Sequence, residues 1–218
     1  MRIIAGHRRG HKIDGPRASA STRPTSDLVR ESLFNILGDL VVDRTVVDLF
    51  AGTGALGLEA LSRGAQRAIF VERDRECVGL IIRNVATLRY EDRASVKLAD
   101  AYRWARTFRP ADERPLVLFI DPPYQDYERR EKVLNQMIVQ LVEKMPAGSV
   151  VVLEAGRVLD RRILEDFECW DIRRYSSTQI AIKVKAGAAD DAGSSPVEPA
   201  GPSRIDRDQG GSESDLDD

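Results

Sequence analysis

Residues 45–61 read TVVDLFAGTGALGLEAL. Thr45 to Phe50 is a nearly continuous apolar run rich in β-branched residues, the composition of a strand covered on both faces. From Ala55 onward the apolar positions take helical spacing. Between the two lie Gly52 and Gly54, with Gly57 three residues further on. Residues without a Cβ let the chain turn tightly there and let a ligand approach the backbone. The stretch therefore reads as a buried strand, a ligand-binding turn and a helix. The glycine spacing by itself is shared with dinucleotide-binding folds and is a weak signal.

The same alternation continues downstream. AIFVE (68–72) precedes a helix over RECVGLIIRNVATL, and ASVKL (94–98) a short helix over AYRWARTF. PLVLFI (115–120) precedes a long helix from about Arg129 to Lys144. GSVVVLEA (148–155) precedes a weak helix near VLDRRILEDF, after which WDIRRY and TQIAIKVK follow closely enough to pair antiparallel. Strand–helix alternation of this kind predicts an α/β fold with a doubly wound, mostly parallel sheet and an antiparallel last strand. Upstream, SDLVRESLFNILG predicts a helix with Val29, Leu33, Ile36 and Leu37 on one face, Ser26 as N-cap and Gly38 as its stop. RIIAG and HKIDG before it can form a short hairpin.

The chain has 218 residues, 42% hydrophobic and 31% charged, which suits one ordinary domain and some excess. No run of about 18 apolar residues is present, so no membrane-spanning helix is expected. The N-terminus lacks the apolar core of a secretory signal. Cys77 and Cys169 are read as buried thiols of a reducing cytoplasm. His7 and His11 have no ligand-like neighbours, and no metal is expected. The net charge of −2 hides an asymmetry. Residues 1–30 hold seven basic and two acidic residues, whereas 186–218 hold nine acids against Arg204 and Arg207. The organisation expected is a basic arm over 1–25, one domain over 26–185, and an acidic, Gly/Ser/Pro-rich disordered tail over 186–218.

Three acids sit at three successive strand ends. Asp48 lies inside the first strand, four residues before Gly52, where a pyrophosphate would be repelled but a cation welcomed. S-adenosylmethionine carries a sulfonium and an α-ammonium. Glu72 lies 18 residues beyond Gly54, the spacing at which an acid accepts both ribose hydroxyls. Asp100, before Ala101, can reach an adenine amine. Together they describe a nucleoside site at the carboxyl edge of the sheet.

The fourth strand ends as LFIDPPYQ, residues 118–125. Prolines alone make a stiff turn, but they explain neither the acid before them nor the aromatic after them. An amine on an aromatic base is a poor nucleophile, because its lone pair is delocalised into the ring. Acceptors on its N–H groups help it rehybridise toward a methyl sulfonium. Asp121 and the carbonyl of Pro122 can supply them, with Pro123 holding the geometry. Tyr124 can stack on the base once it is drawn out of its helix, a contact worth roughly 1–3 kcal/mol.

DLFAGTG paired with a later DPPY resembles the amino-group methyltransferases that use S-adenosylmethionine. More specifically, RIIAGHRRGHKI, RPTSDLVRESLFNIL, DLFAGTGALGLEALSRGA, FVERD and DPPY occur in the order seen in the RsmD family. The resemblance covers about residues 1–184. It implies a Rossmann-like class I methyltransferase fold and methylation of a guanine N2 amine in 16S ribosomal RNA, naked or in a small-subunit assembly particle. It also implies cofactor contacts from Asp48, Phe50, Gly52, Gly54, Glu72, Asp100 and Ala101, and a catalytic loop of Asp121, Pro122, Pro123 and Tyr124. Arg23, Pro24 and Thr25 match a segment that the family places close to the active site. Tyr175-Ser176-Ser177-Thr178 lacks the glycine of the family's Tyr-Gly-x-Thr pattern. Arg8, Arg9, Lys12, Arg17 and Arg23 would grip phosphates next to the target base. A monomeric cytoplasmic enzyme is expected. The rival readings are an adenine-N6 DNA methyltransferase, for which about 185 ordered residues leave little room for target recognition, and a non-catalytic RNA-binding module, which would not need Asp121 and Tyr124.

Overall fold

The structure, a computed structural model, describes residues 1–15, 27–156 and 158–187. Ser26, Arg17, Arg23, Pro24, Thr25 and the acidic tail lie outside the described residues, apart from Ala186 and Gly187 at the start of that tail. Seven strands form one sheet: β1 (Thr45–Leu49), β2 (Arg67–Glu72), β3 (Ala94–Leu98), β4 (Leu116–Ile120), β5 (Val150–Ala155), β6 (Asp171–Tyr175) and β7 (Thr178–Val184). Their order is β3-β2-β1-β4-β5-β7-β6. The first five run parallel, and β7 pairs antiparallel with both β5 and β6. Strand order reverses between β1 and β4, and ligands of such sheets bind in the crevice that this reversal opens.

The helices are α1 (Asp27–Leu37), α2 (Ala55–Ser62), α3 (Arg75–Leu88), α4 (Ala101–Thr107), α5 (Tyr124–Arg129) and α6 (Glu131–Lys144). Inward side chains sort cleanly by strand period. Val46, Phe70, Phe119 and Val152 join α1, α2, α3 and Ile3 and Ile13 of the N-terminal arm in one core layer. Val47, Val71, Leu118, Ile120 and Leu153 join α4, α5 and α6 in the other. In α1 the buried face is Val29, Leu33, Phe34 and Leu37; Phe34 fills the position expected of Ile36, which is only partly buried. The chain leaves α1 through Gly38 at φ +48 and a short 3₁₀ turn over Gly38–Val41.

Third in the glycine series, Gly57 lies within α2, and a Cβ there would stand 2.3 Å from the Phe70 ring and 3.2 Å from Asp48 Oδ2. That glycine lets α2 press against β2. The arm is a minimal hairpin: Arg2 bridges Lys12, and the Ile3 and Gly10 amides donate to the His11 and Ile3 carbonyls.

The long helix expected from about Arg129 to Lys144 is α6, and a short α5 not foreseen from sequence precedes it, the two parted at Arg130, whose φ of −131 is not helical. Two expectations are corrected. The segment near 158–167 makes turns and ends in a 3₁₀ turn at Phe167–Cys169, although Leu159, Ile163 and Leu164 are buried as a helix face would bury them. Cys77 is half-buried and Cys169 exposed, and neither forms a disulfide. Burial and the acids Glu72 and Asp74 push the Cys77 thiol up to about 11, so it is an inert thiol at neutral pH.

Candidate active site

The carboxyl ends of β1, β2, β3 and β4 bring Asp48, Phe50, Gly52, Gly54, Glu72, Asp100, Ala101 and Asp121 to one edge. After β1 the chain turns sharply. Phe50 at φ +60 and Gly52 and Gly54 at φ +52 and +77 all lie in the left-handed region. For Phe50 this costs roughly 1–2 kcal/mol, offset by ring packing: Phe50 meets Tyr102 edge-on at 5.4 Å. A side chain in such strain is held by its surroundings and is a mark of functional sites.

Asp48 is 1% exposed and lies beneath the turn, its Oδ2 accepting the Gly57 N–H at 3.0 Å. Burial pushes its carboxyl up to about 8, Glu72 adds to this, and the Gly57 N–H partly offsets it. Glu72 links two loops. Its Oε2 accepts the Gly52 N–H at 2.9 Å, while Oε1 accepts the Arg73 and Asp74 N–H groups at 2.7 and 2.9 Å. Leu98, in register with Glu72, is a large apolar side chain left half exposed. Beyond it Asp100 caps α4 by accepting the Arg103 N–H at 2.9 Å, and Ala101 is buried. An exposed apolar face flanked by carboxylates on two strand ends fits a nucleoside, with acceptors for hydroxyls on one side and for an amine on the other.

Asp121 is half-buried at the end of β4, its N–H reaching back to the Leu49 carbonyl at 3.4 Å. Burial, then Glu154, then Asp48 hold its carboxyl well above the usual range. Pro122 is buried, while Pro123 and Tyr124 are exposed, and the Pro123 carbonyl starts α5 by accepting the Asp126 N–H at 2.8 Å. The Tyr124 ring lies so close over Gly156 that a Cβ there would stand 1.9 Å from it. Two further contacts fasten α5. The Tyr127 hydroxyl donates to the Glu154 carbonyl at 2.6 Å, and the Tyr102 hydroxyl donates to Asp126 Oδ2 at 2.7 Å. Arg130 covers the Tyr102 ring at 3.9 Å. Glu154, Tyr127, Tyr102, Asp126 and Gly156 were not singled out from sequence. The pairing of β5 beside β4 gives the first its meaning, and the others are visible only through contacts.

The basic arm runs along α2, away from this edge. Buried Glu59 on α2 accepts the Ile4 and Ala5 N–H groups at 2.8 and 2.9 Å. At the far end of α2, the Arg8 N–H donates to Ser62 Oγ and Arg8 Nε to the Leu88 carbonyl. Arg8 therefore sits about a helix length, roughly 12 Å, from the glycine turn rather than beside it. Arg9 and Lys12 are exposed.

The seven-stranded sheet with its antiparallel β7, the glycine turn at the strand-order reversal and the acids at successive strand ends define a class I S-adenosylmethionine-dependent methyltransferase fold. Residues 1–184 match the family described as "Conserved hypothetical protein 95". The chain belongs to this family, the RsmD family. It is 34% identical to "Putative rRNA methyltransferase YlbH" of Bacillus subtilis (strain 168), over 86% of this chain and all of that protein. It is 42% identical over 125 residues to "Ribosomal RNA small subunit methyltransferase D" of Escherichia coli (strain K12), a match spanning 57% of this chain and 61% of that one. Among solved structures, the Escherichia coli yhhF protein superposes with a TM-score of 0.66 at 31% identity, over 85% of this chain and 98% of that one. An RNA methyltransferase from Salinibacter ruber in complex with S-adenosyl-L-homocysteine shares the fold, with a TM-score of 0.56 at 16% identity over 75% of this chain and 94% of that one.

Proposed function

We propose that the protein transfers the methyl group of S-adenosylmethionine to the N2 amine of a guanine in 16S ribosomal RNA, acting as a cytoplasmic monomer. The observation that carries this reading is the placement of Asp121 and the Tyr124 ring at the β1–β4 reversal, next to the glycine turn. When bound there, the cofactor supplies an electrophilic methyl group on a positively charged sulfur.

Asp48 and the backbone of Gly52 and Gly54 hold the amino-acid end, Glu72 the ribose, and Asp100 with Ala101 and Leu98 the adenine. Phe50 walls the pocket between the turn and α4. Asp121 accepts a hydrogen bond from the target amine and directs its lone pair, and the Pro122 carbonyl provides the second acceptor. Pro123 fixes the start of α5, and Tyr124 stacks on the extruded base. Arg8 and Arg9 contact RNA phosphates about a helix length from the target, with Lys12 closer. Arg17 and Arg23 complete the basic arm.

RNA from a strain lacking the gene, incubated with protein and methyl-tritiated cofactor, should release its label as N2-methylguanosine from 16S rRNA on nucleoside analysis. Label in N6-methyladenine, or label only in DNA, would reject the reading. Glu72→Ala is expected to weaken cofactor binding by about tenfold to a hundredfold, since it removes charge-assisted acceptors for the ribose. Calorimetry giving wild-type affinity would contradict the ribose assignment.

A further inference from the structure

Four of the acids at the carboxyl edge share a face of the sheet. Along β1, β2, β4 and β5, Val46, Phe70, Phe119 and Val152 point into one core layer and Val47, Val71, Ile120 and Leu153 into the other. By the two-residue period, Asp48, Glu72, Asp121 and Glu154 all project to the first side. Ile120 pairs with Leu153, so Asp121 and Glu154 leave neighbouring strands side by side. Glu154 is 9% exposed and Asp48 is 1% exposed. Both raise the Asp121 carboxyl, Glu154 more than Asp48.

We propose that Asp48, Asp121 and Glu154 hold a shared proton in the ligand-free protein and give it up on taking the cationic end of S-adenosylmethionine. Asp121 is then a full acceptor only when a methyl donor is in place. Like charges packed together cannot all ionise, and such groups titrate as a set. The directions found for Asp48 and Asp121 agree, both raised first by burial. Among the described residues, the surrounding groups add little positive charge. Glu72 faces Asp48 from β2, and Tyr124 and Tyr127 face the cluster from α5. Tyr102 from α4 hydrogen-bonds Asp126 on α5 and carries Arg130 over its ring, with Asp100 close by.

The proton balance closes within one turnover. A bond forms between the target nitrogen and the methyl carbon while the sulfur–methyl bond breaks, and its electron pair stays on sulfur. The sulfur loses its positive charge as the nitrogen gains one. The nitrogen then sheds a proton to Asp121, whose reason for staying ionised has just disappeared. Glu154 acts through Asp121 as a positioning residue for that proton.

This rests on the methyltransferase reading, and the test separates the two. Titration calorimetry of the full-length protein in buffers of different ionisation enthalpy counts the protons released per ligand bound. With S-adenosylmethionine near pH 7, release approaching a full proton is expected, and affinity should rise by up to about tenfold per pH unit and level off above about pH 8. S-adenosylhomocysteine, which lacks the sulfonium, should release distinctly less. Glu154→Gln should bring proton release with S-adenosylmethionine down toward that lower figure and shift the single-turnover pH profile to the acid side. Failure to bind S-adenosylmethionine would overturn the methyltransferase reading and this inference with it. Binding with equal proton release for the two ligands, measured on the wild-type chain, would overturn the inference alone, as would an unchanged count in folded Glu154→Gln.

Discussion

Asp121→Ala is expected to abolish measurable methyl transfer, with turnover falling by about 10²–10⁴-fold or more, while cofactor affinity at pH 8 stays within a few-fold. The argument is geometric. Asp121 ends a strand all of whose residues are buried, and among the described residues its N–H reaches the Leu49 carbonyl at 3.4 Å. Its side chain is not an N-cap like Asp100, nor a loop clamp like Glu72. Among the described residues no hydrogen bond or ion pair holds this carboxylate, and burial beside Glu154 and Asp48 makes it costly. A costly group without a structural task is expected to be doing chemistry. Single-turnover rates with saturating RNA, paired with calorimetry of cofactor binding, check both halves. Turnover within tenfold of wild type would reject the catalytic role.

The second large effect is on stability. Glu59 is fully buried and serves four partners: the Ile4 and Ala5 N–H groups, Arg63 Nε at 2.8 Å, and buried Arg30, whose Nε is 3.9 Å away. Arg30 also donates through Nη2 to the Arg2 carbonyl and to Asp27. Its Nε and Nη1 have no hydrogen-bond partner among the described residues. Glu59→Ala leaves this buried guanidinium with half-exposed Asp27 as its remaining counter-charge and frees the arm from α2. Breaking a buried pair in this way costs about 3–5 kcal/mol. For a chain of this size that is a drop in Tm of about 6–20 °C. Calorimetric melting of the variant measures it, with Arg63→Ala as a control expected to lose less, because Glu59 then keeps the Ile4 and Ala5 N–H groups and Arg30. A Tm within 2 °C of wild type would show that the arm is not fastened by this network.

Much of this was written in the sequence. The limits of α3 (75–88) and β3 (94–98) follow directly from hydrophobic period, and Asp74 and Asp100 supply the caps. The acids at strand ends were legible because a glycine turn tells the reader which edge of the sheet faces a ligand. Glu154 was not, since VVVLEA reads as a core strand until β5 is known to lie against β4. The failed helix near 158–167 shows the limit of periodicity. Leu159, Ile163 and Leu164 have a helix's spacing, but Asp160 accepts the Arg162 N–H and Gln179 takes the Leu159 N–H, so local turns win. Arg130 gave no sign that it breaks α5 from α6, because Arg is a good helix former. The arm's basic composition was plain, but only Glu59 and Ser62 reveal that its tip lies far from the glycine turn.

The pairing of β1 with β4 has a consequence for how the protein comes to life. Thr45 pairs with Leu116, a contact between residues about seventy positions apart, and such long loops close late in folding. Asp48 and Asp121 belong to these two strands, so neither half of the chain can assemble the pocket alone. A cofactor that binds only the joined halves pulls the folding equilibrium toward the finished sheet. Methyl-donor supply therefore acts on this chain as a folding ligand as well as a reactant.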